Sequence, residues 1–114
     1  MDESGSTTQM RRGVVGPCVL ALLRGGARYG LDIAQELQRT GLIASAGTIY
    51  PVLNRLEATG YVVGRWVVES EERPRRFYEL TASGRAEVGA FRSEWATFAL
   101  AVSTMLDGER IAND

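Results

Sequence analysis

The sequence predicts a mainly α-helical domain carrying one small β-hairpin, and three observations predict it. Between Ser45 and Gly60, the residues Ile49, Val52, Leu53 and Leu56 fall at i, i+3, i+4 and i+7, the stripe of a helix that buries one side. After Gly60 the period becomes alternating: Tyr61 to Val68 is rich in β-branched and aromatic residues, and Arg76 to Leu80 answers it across the polar loop from Glu69 to Arg75. From Ala82 to Leu106 the period is helical again, with Val88, Phe91, Trp95, Phe98, Val102 and Met105 spaced 3, 4, 3, 4, 3.

Each element can be justified in order along the 114 residues. Residues 1–10 are polar and rich in Ser, Thr and Gly, too poor in apolar groups to offset the entropy of ordering, and are expected to form a flexible tail. Structure is expected from about Arg11. Val14 to Leu23 reads as a helix apolar almost all round, with Pro17 tolerable in its first turn and Gly25-Gly26 ending it. A second helix runs from Leu31 to Arg39, with Leu31, Ile33, Ala34 and Leu37 facing inward, and stops at Thr40-Gly41. The third helix takes Ser45 as its N-cap and Gly60 as its left-handed C-terminal residue. Pro51 removes a backbone donor inside that span, which predicts a kink or a tight first turn there. Thr81 caps the last helix, which ends near Leu106, and residues 108–114 are expected to be a second flexible tail.

Composition narrows the function classes. The chain has no histidine and one cysteine, Cys18, in an apolar run where a small buried hydrophobe is the expected role. No cluster exists from which a zinc site could be built, and neither a metal nor a cofactor is expected. Nor does the chain contain a nucleophile and base pair, a carboxylate dyad or a phosphate-cradling glycine loop in a workable setting, so an enzyme is the least favoured class. Neither an apolar run of about 18 residues nor a signal-peptide pattern is present, so no membrane is implied and the cytoplasm is the expected location. The net charge of −1 conceals a split: Arg11 to Arg92 holds twelve arginines against eight acids, a net +4, and the remainder sums to −5. The positive field therefore belongs to the middle of the chain.

The third helix has a second side to explain. At about 100° per residue, Gly47, Pro51, Asn54, Arg55 and Ala58 point away from the apolar stripe while Thr48 and Tyr50 flank it. Small, hydroxyl, amide and guanidinium groups of this kind read or grip DNA. Helix, helix, helix, hairpin and long helix is the order of a winged helix-turn-helix, here residues 11–81, with an appended dimerisation helix, residues 82–107. In that arrangement the third helix enters the major groove and the hairpin reaches the neighbouring backbone or minor groove. Arg73, Arg75 and Arg76 around Pro74 would supply guanidinium groups for phosphates there, although three arginines in a loop are also compatible with a merely solvated turn. The spaced apolar row of the last helix is a seam over about two and a half heptads, the pattern of one helix packing along another of similar length. A second copy of the chain would provide that partner, whereas packing across its own domain is the alternative.

The sequence also resembles a known family. Tyr29-Gly30-Leu31-Asp32-Ile33, Gly47-Thr48-Ile49-Tyr50-Pro51-Val52-Leu53-Asn54-Arg55-Leu56-Glu57, Gly60-Tyr61-Val62, and Arg73-Pro74-Arg75-Arg76-Phe77-Tyr78-Glu79-Leu80-Thr81 with Gly84 are similar to the PadR family of bacterial transcriptional regulators, over roughly Val14 to Phe91. That resemblance implies a homodimeric winged-helix repressor on a double-stranded DNA operator, often responsive to a small molecule or stress. By matching position it implies that Ser45, Thr48, Tyr50, Asn54 and Arg55 lie at the DNA-facing helix and Arg73, Arg75 and Arg76 at the wing. It also accounts for Pro51, which similar proteins carry in the same place, and the single helix after the wing is similar to the short branch of the family. Two departures stand out: Glu71-Glu72 replaces the glycines that often precede the wing's Arg-Pro-Arg, and Ala46 and Ala58 stand where long basic side chains would strengthen backbone contact.

The mechanism expected from these features is a homodimer that places two third helices in successive major grooves of an inverted-repeat operator and represses by blocking polymerase. A small-molecule effector between subunits, against Trp66, Trp95 and Phe98, would alter the spacing of the two reading helices, with plain interface packing as the alternative role of those rings. The rival class is a winged-helix module that binds a partner protein and no DNA. Salt separates the two, since binding through several arginines weakens steeply with ionic strength and an apolar interface does not.

Overall fold

The computed structural model describes residues 6–108. Its elements are α1 (Ser6–Arg12), α2 (Val15–Leu23), β1 (Arg28–Tyr29), α3 (Gly30–Arg39), a single 3-10 turn (Ala46–Thr48), α4 (Ile49–Thr59), β2 (Val62–Val67), β3 (Arg75–Leu80) and α5 (Ala82–Leu106). Helix α1 occupies the second half of the stretch expected to be a flexible tail at residues 1–10. The rest of that stretch, 1–5, and residues 109–114 of the expected second tail lie outside the described residues.

Helix α2 is the central post of the core. Val15, Val19, Leu20 and Leu23 are buried on it, and they meet Ile33, Ala34 and Leu37 of α3 and Ile49, Leu53 and Leu56 of α4. Each fully buried Leu or Ile contributes about 2 kcal/mol of transfer free energy. Val62, Tyr78 and Leu80 close the core from the sheet side. Among the described residues no polar or charged side chain other than the Tyr78 phenol lies inside it. Pro17 is the third residue of α2, where a backbone N–H has no intrahelical acceptor, so the ring costs nothing. Leu31, expected to face inward, lies on the outer side of α3 and is 49% exposed. The helix starts at Gly30, and from there Ile33, Ala34 and Leu37 complete its buried stripe without Leu31.

Pro51 is likewise the third residue of α4, and the 3-10 turn before it supplies the tight entry that the sequence predicts. Ser45, expected to cap the third helix, caps the 3-10 turn instead, and Thr48 is the cap residue of α4; neither side chain makes a capping bond, and the Thr48 hydroxyl donates to the Ser45 carbonyl at 2.8 Å. At the other end Gly60 adopts φ 89°. The Gly60 N–H donates to Glu57 O and the Tyr61 N–H to Leu56 O, both at 3.0 Å, the paired bonds of a helix closed by a left-handed residue.

The hairpin is part of a three-stranded antiparallel sheet of order β1-β3-β2 among the described residues. Strand β1 is too short for any periodicity to reveal and joins β3 through Arg28↔Tyr78 and Tyr29↔Phe77. Strands β2 and β3 pair from Val62↔Leu80 out to Val67↔Arg75, so the outer two of these six pairs extend past the end of β1.

A tight joint links α4 to α5. The Thr81 hydroxyl donates to Gly60 O at 2.7 Å and accepts from the Gly84 N–H at 3.0 Å, which bears out Thr81 as the N-cap of α5. The Ser83 hydroxyl adds a bond to Gly60 O at 3.2 Å, and the Thr81 N–H donates to Tyr61 O at 3.1 Å. Gly84 is required by proximity: a Cβ there would overlap the Tyr61 carbonyl oxygen and stand 2.9 Å from Leu80 Cδ1. Beyond this joint α5 leaves the body. Val88, expected in an intersubunit seam, is instead buried in the domain's own core at 4% exposure, because it falls where α5 still lies against α2. No helix among the described residues is long and apolar enough to cross a membrane.

Two glycines of α5 give opposite expectations. Gly84→Ala lowers the unfolding free energy by about 3 kcal/mol through overpacking against a backbone carbonyl. Gly89→Ala, where a Cβ meets nothing within 4 Å, raises it by about 0.5 to 1 kcal/mol through helix propensity. Urea denaturation of the two variants beside the parent measures both.

Candidate nucleic-acid interface

Burial of Ile49, Leu53 and Leu56 fixes the rotation of α4 and thereby its outward side. Ser45, Gly47, Thr48, Pro51, Asn54, Arg55 and Ala58 are all exposed. Asn54 and Arg55 make no side-chain hydrogen bond or ion pair among the described residues, so their donors and acceptors are available to a ligand. Tyr50 is 42% exposed, and one edge of its ring leans over the start of α3, as shown by a Cβ at Gly30 lying 3.3 Å from both Tyr50 and Tyr78 carbons.

Two basic residues that periodicity and motif spacing do not single out join this side. Arg11 and Arg12, at the end of α1, line an open groove of about 340 Å³ together with Thr48 and Arg55, over a floor that includes Val15 and Val52. Arg11 Nη2 donates to Gly41 O at 3.2 Å, which ties α1 to the turn after α3. The adjacent Arg11-Arg12 pair is visible in the sequence, but its position beside α4 depends on a helix that the composition hides.

The three wing arginines, grouped together by sequence, have three different surroundings. Strand alternation separates them. Arg75, Phe77 and Glu79 share the outer side of β3, and Arg76, Tyr78 and Leu80 the inner side. Arg73 precedes the strand, is exposed, and forms no ion pair or hydrogen bond among the described residues. Arg75 lies over Tyr29, its guanidinium carbon 3.6 Å from the ring centroid. Tyr29 in turn packs on Phe77 at 4.7 Å and donates to Glu69 Oε2 at 3.1 Å. Partial desolvation and the neighbouring Glu69 carboxylate push the Tyr29 phenol above its ordinary pKa, so the ring remains a neutral platform across the physiological range. Arg65 on the neighbouring strand pairs with Glu79 at 3.1 Å.

Arg76 is turned inward. Its Nη2 donates to Glu57 Oε2 of α4 at 2.7 Å, and its guanidinium lies 5.2 Å from the Trp66 ring centroid and 5.9 Å from that of Tyr78. The Glu57 carboxylate raises the Arg76 pKa further, and burial pushes the Tyr78 phenol up. Arg76 thus stays charged and the Tyr78 phenol neutral near neutrality. The wing loop also carries Glu71 and Glu72, both exposed, after a turn in which Ser70 adopts φ 61° and the Glu72 N–H donates to Glu69 O at 3.1 Å.

Along α5, Phe91, Trp95 and Phe98 form a ladder with centroid spacings of 5.9 and 6.3 Å. Phe91 is half-buried. Trp95, Phe98, Val102 and Met105 are 45%, 62%, 41% and 79% exposed. Trp66 stands far along the chain from this ladder, on the hairpin, and its described contact is with Arg76. Among the described residues no group of three or more metal-ligating side chains comes together.

Comparison with known proteins places this arrangement. The model of the transcriptional regulator PadR-like family matches residues 19–90. The transcriptional regulator Rv3488 of Mycobacterium tuberculosis is 47% identical over 58 residues, a match covering 51% of this chain and 53% of that protein. The chain therefore spans about half the length of this curated relative. The crystal structure of a PadR family transcriptional regulator from Eggerthella lenta superposes with a TM-score of 0.76 at 28% identity, covering 88% of each chain. A PadR-like transcriptional regulator from Bacillus cereus gives 0.74 at 27% identity, over 86% of this chain and 96% of that one.

The separate surroundings of the wing arginines predict separate effects on stability. Arg73→Ala leaves the unfolding free energy within about 0.5 kcal/mol of the parent. Arg76→Ala, which breaks a half-buried ion pair, lowers it by about 1 kcal/mol. Equal effects in urea denaturation would contradict this division.

Proposed function

This chain belongs to the transcriptional regulator PadR-like family, and from that premise we propose that it acts as a homodimeric, sequence-specific DNA-binding repressor. Its role is regulatory and not enzymatic. The observation that carries the reading is the outward side of α4, where Asn54 and Arg55 have no side-chain partner within the described chain, Arg55 shares a groove with Arg11 and Arg12, and Glu57 of the same helix meets Arg76 of the hairpin. Asn and Arg at such positions match the donor and acceptor edges of adenine and guanine in a major groove. Thr48 and Ser45, at the start of the helix, are suited to phosphate oxygens. Arg73, and Arg75 on its Tyr29 platform, would meet the backbone beside the groove. The bare Glu71 and Glu72 limit how closely the wing approaches phosphates.

Dimerisation supplies the geometry. The exposed row from Trp95 to Met105, begun by the half-buried Phe91, is an apolar strip that a lone subunit would present to water, and a second copy of the same strip is its natural cover. Two α4 helices would then enter successive major grooves about 34 to 36 Å apart, on an inverted repeat. The bonded joint between Gly60-Tyr61 and Thr81-Ser83 ties each α4 to its own α5, so the crossing angle of the paired α5 helices governs the separation of the reading helices. A small molecule seated against Trp95 and Phe98 would act through that angle and relieve repression. Trp66, far along the chain on the hairpin, is better explained as packing for Arg76.

Gel-shift titration with the DNA upstream of the chain's own coding sequence tests this. The parent protein retards that DNA in preference to a scrambled duplex, and Asn54→Ala and Arg55→Ala each weaken binding by about tenfold or more. Arg73→Ala weakens it for all sequences alike and lowers the salt slope by about 1, the change expected when one phosphate is no longer neutralised. Phe98→Asp sediments as a monomer and gives no retarded band. Binding by both helix variants at parental strength, or a folded parent that stays monomeric at micromolar concentration, overturns the scheme.

A further inference from the structure

The ion pair between Glu57 and Arg76 joins two parts of the proposed DNA interface to each other. Pairing with β1 ends at Tyr29↔Phe77. Outward of that register, at Trp66↔Arg76 and Val67↔Arg75, the wing is a two-stranded ribbon without a third strand. Such a ribbon twists and bends readily, and its tip is placed only as well as its side contacts place it. On the inner side that contact is Arg76. The residue lies one pair from the end of the ladder, its guanidinium 2.7 Å from Glu57 Oε2 on α4, with the Trp66 ring beside it. Gly64 makes room for it: a Cβ at that position would stand 2.9 Å from Arg76 Nε and Nη2.

Accepting a phosphate instead would require Arg76 to release Glu57. A carboxylate with two thirds of its side chain covered would then be left bare on the DNA-reading helix, next to a polyanion. Both consequences are unfavourable.

We propose that Arg76 and Glu57 are positioning residues, a latch that sets the angle between wing and reading helix, and that Arg76 takes no phosphate of its own. This rests on the DNA-binding reading above. Arg76 is thereby assigned apart from Arg73 and Arg75, with which the sequence groups it. It also gives Glu57, an acid on the reading helix, a role that favours DNA binding.

The sign of one substitution tests it. If Arg76 gripped DNA, Glu57→Ala would remove an acid, free a guanidinium and tighten binding. If the pair is a latch, Glu57→Ala weakens binding by about tenfold, as Arg76→Ala does, even though the protein becomes more positive. Alanine at an interior position of α4 preserves the helix. The exchange Glu57→Arg with Arg76→Glu restores most of the affinity, because the pair is remade with its polarity reversed. Fluorescence anisotropy with the promoter duplex at several salt concentrations reads these affinities, and circular dichroism melting confirms that each variant is folded. Backbone amide exchange of Trp66 and Val67 in the DNA-free protein gives an independent reading: it rises at least about threefold in both single variants and returns toward the parent in the exchanged pair. Parental or tighter binding by Glu57→Ala, an exchanged pair as weak as Arg76→Ala, or unchanged amide exchange overturns the latch. Failure of the parent itself to bind any promoter duplex would instead remove the DNA-binding reading, and amide exchange would still decide whether the pair holds the wing.

Discussion

The rest of this molecule depends on the burial of one short stripe, Ile49, Leu53 and Leu56, against α2 and α3. A helix that rotates by one residue turns its sides by about 100°, so these side chains decide which groups α4 shows to solvent. With Ile49 and Leu53 fully enclosed, the stripe has no second way to dock without exposing apolar surface worth about 2 kcal/mol per residue. Asn54 and Arg55 face outward as a consequence of that packing, and no bond within the described chain holds them there. The reading side is therefore what the core leaves uncovered.

A second consequence follows at the far end of α4. Gly60 and Tyr61 turn their carbonyls toward Thr81 and Ser83, and Gly84 lets α5 come into contact with the Tyr61 backbone. Because both helix termini share these bonds, α4 and α5 move together, and the angle at which α5 meets anything else is passed to the reading helix. The first two turns of α5 belong to the domain through Val88, and its remainder carries the exposed ladder of Trp95, Phe98, Val102 and Met105. One helix thus has an inner part that anchors and an outer part that is free to pair. This division explains why its apolar spacing runs without interruption across two different environments.

The wing shows how alternation allots roles to neighbours. Arg75 and Arg76 are adjacent, yet the pleat sends one onto the Tyr29 platform and the other across Trp66 to Glu57. Two guanidinium groups of identical chemistry are separated in function by a single peptide unit. Arg73, before the strand begins, escapes both partners. Acidic residues are divided in the same way: Glu57, Glu69 and Glu79 are each engaged by a neighbour, and Glu71 and Glu72 are exposed in the loop.

By itself the sequence determined the order and kind of the main elements, the buried stripe of α4, the tight entry at Pro51, the Thr81 cap, the hairpin and the family. These are written in spacings of two to four residues and in single turn-formers, which act within one element and need no knowledge of the rest. Only the tertiary structure decided that residues 28 and 29 form a third strand, that Leu31 faces out, that Val88 lies in the domain core, that α1 brings Arg11 and Arg12 beside Arg55, and that Arg76 belongs to Glu57, 19 residues away. Each of these depends on how separate elements dock. Docking is set by the shape and burial of the whole core, a quantity that no local window of residues contains.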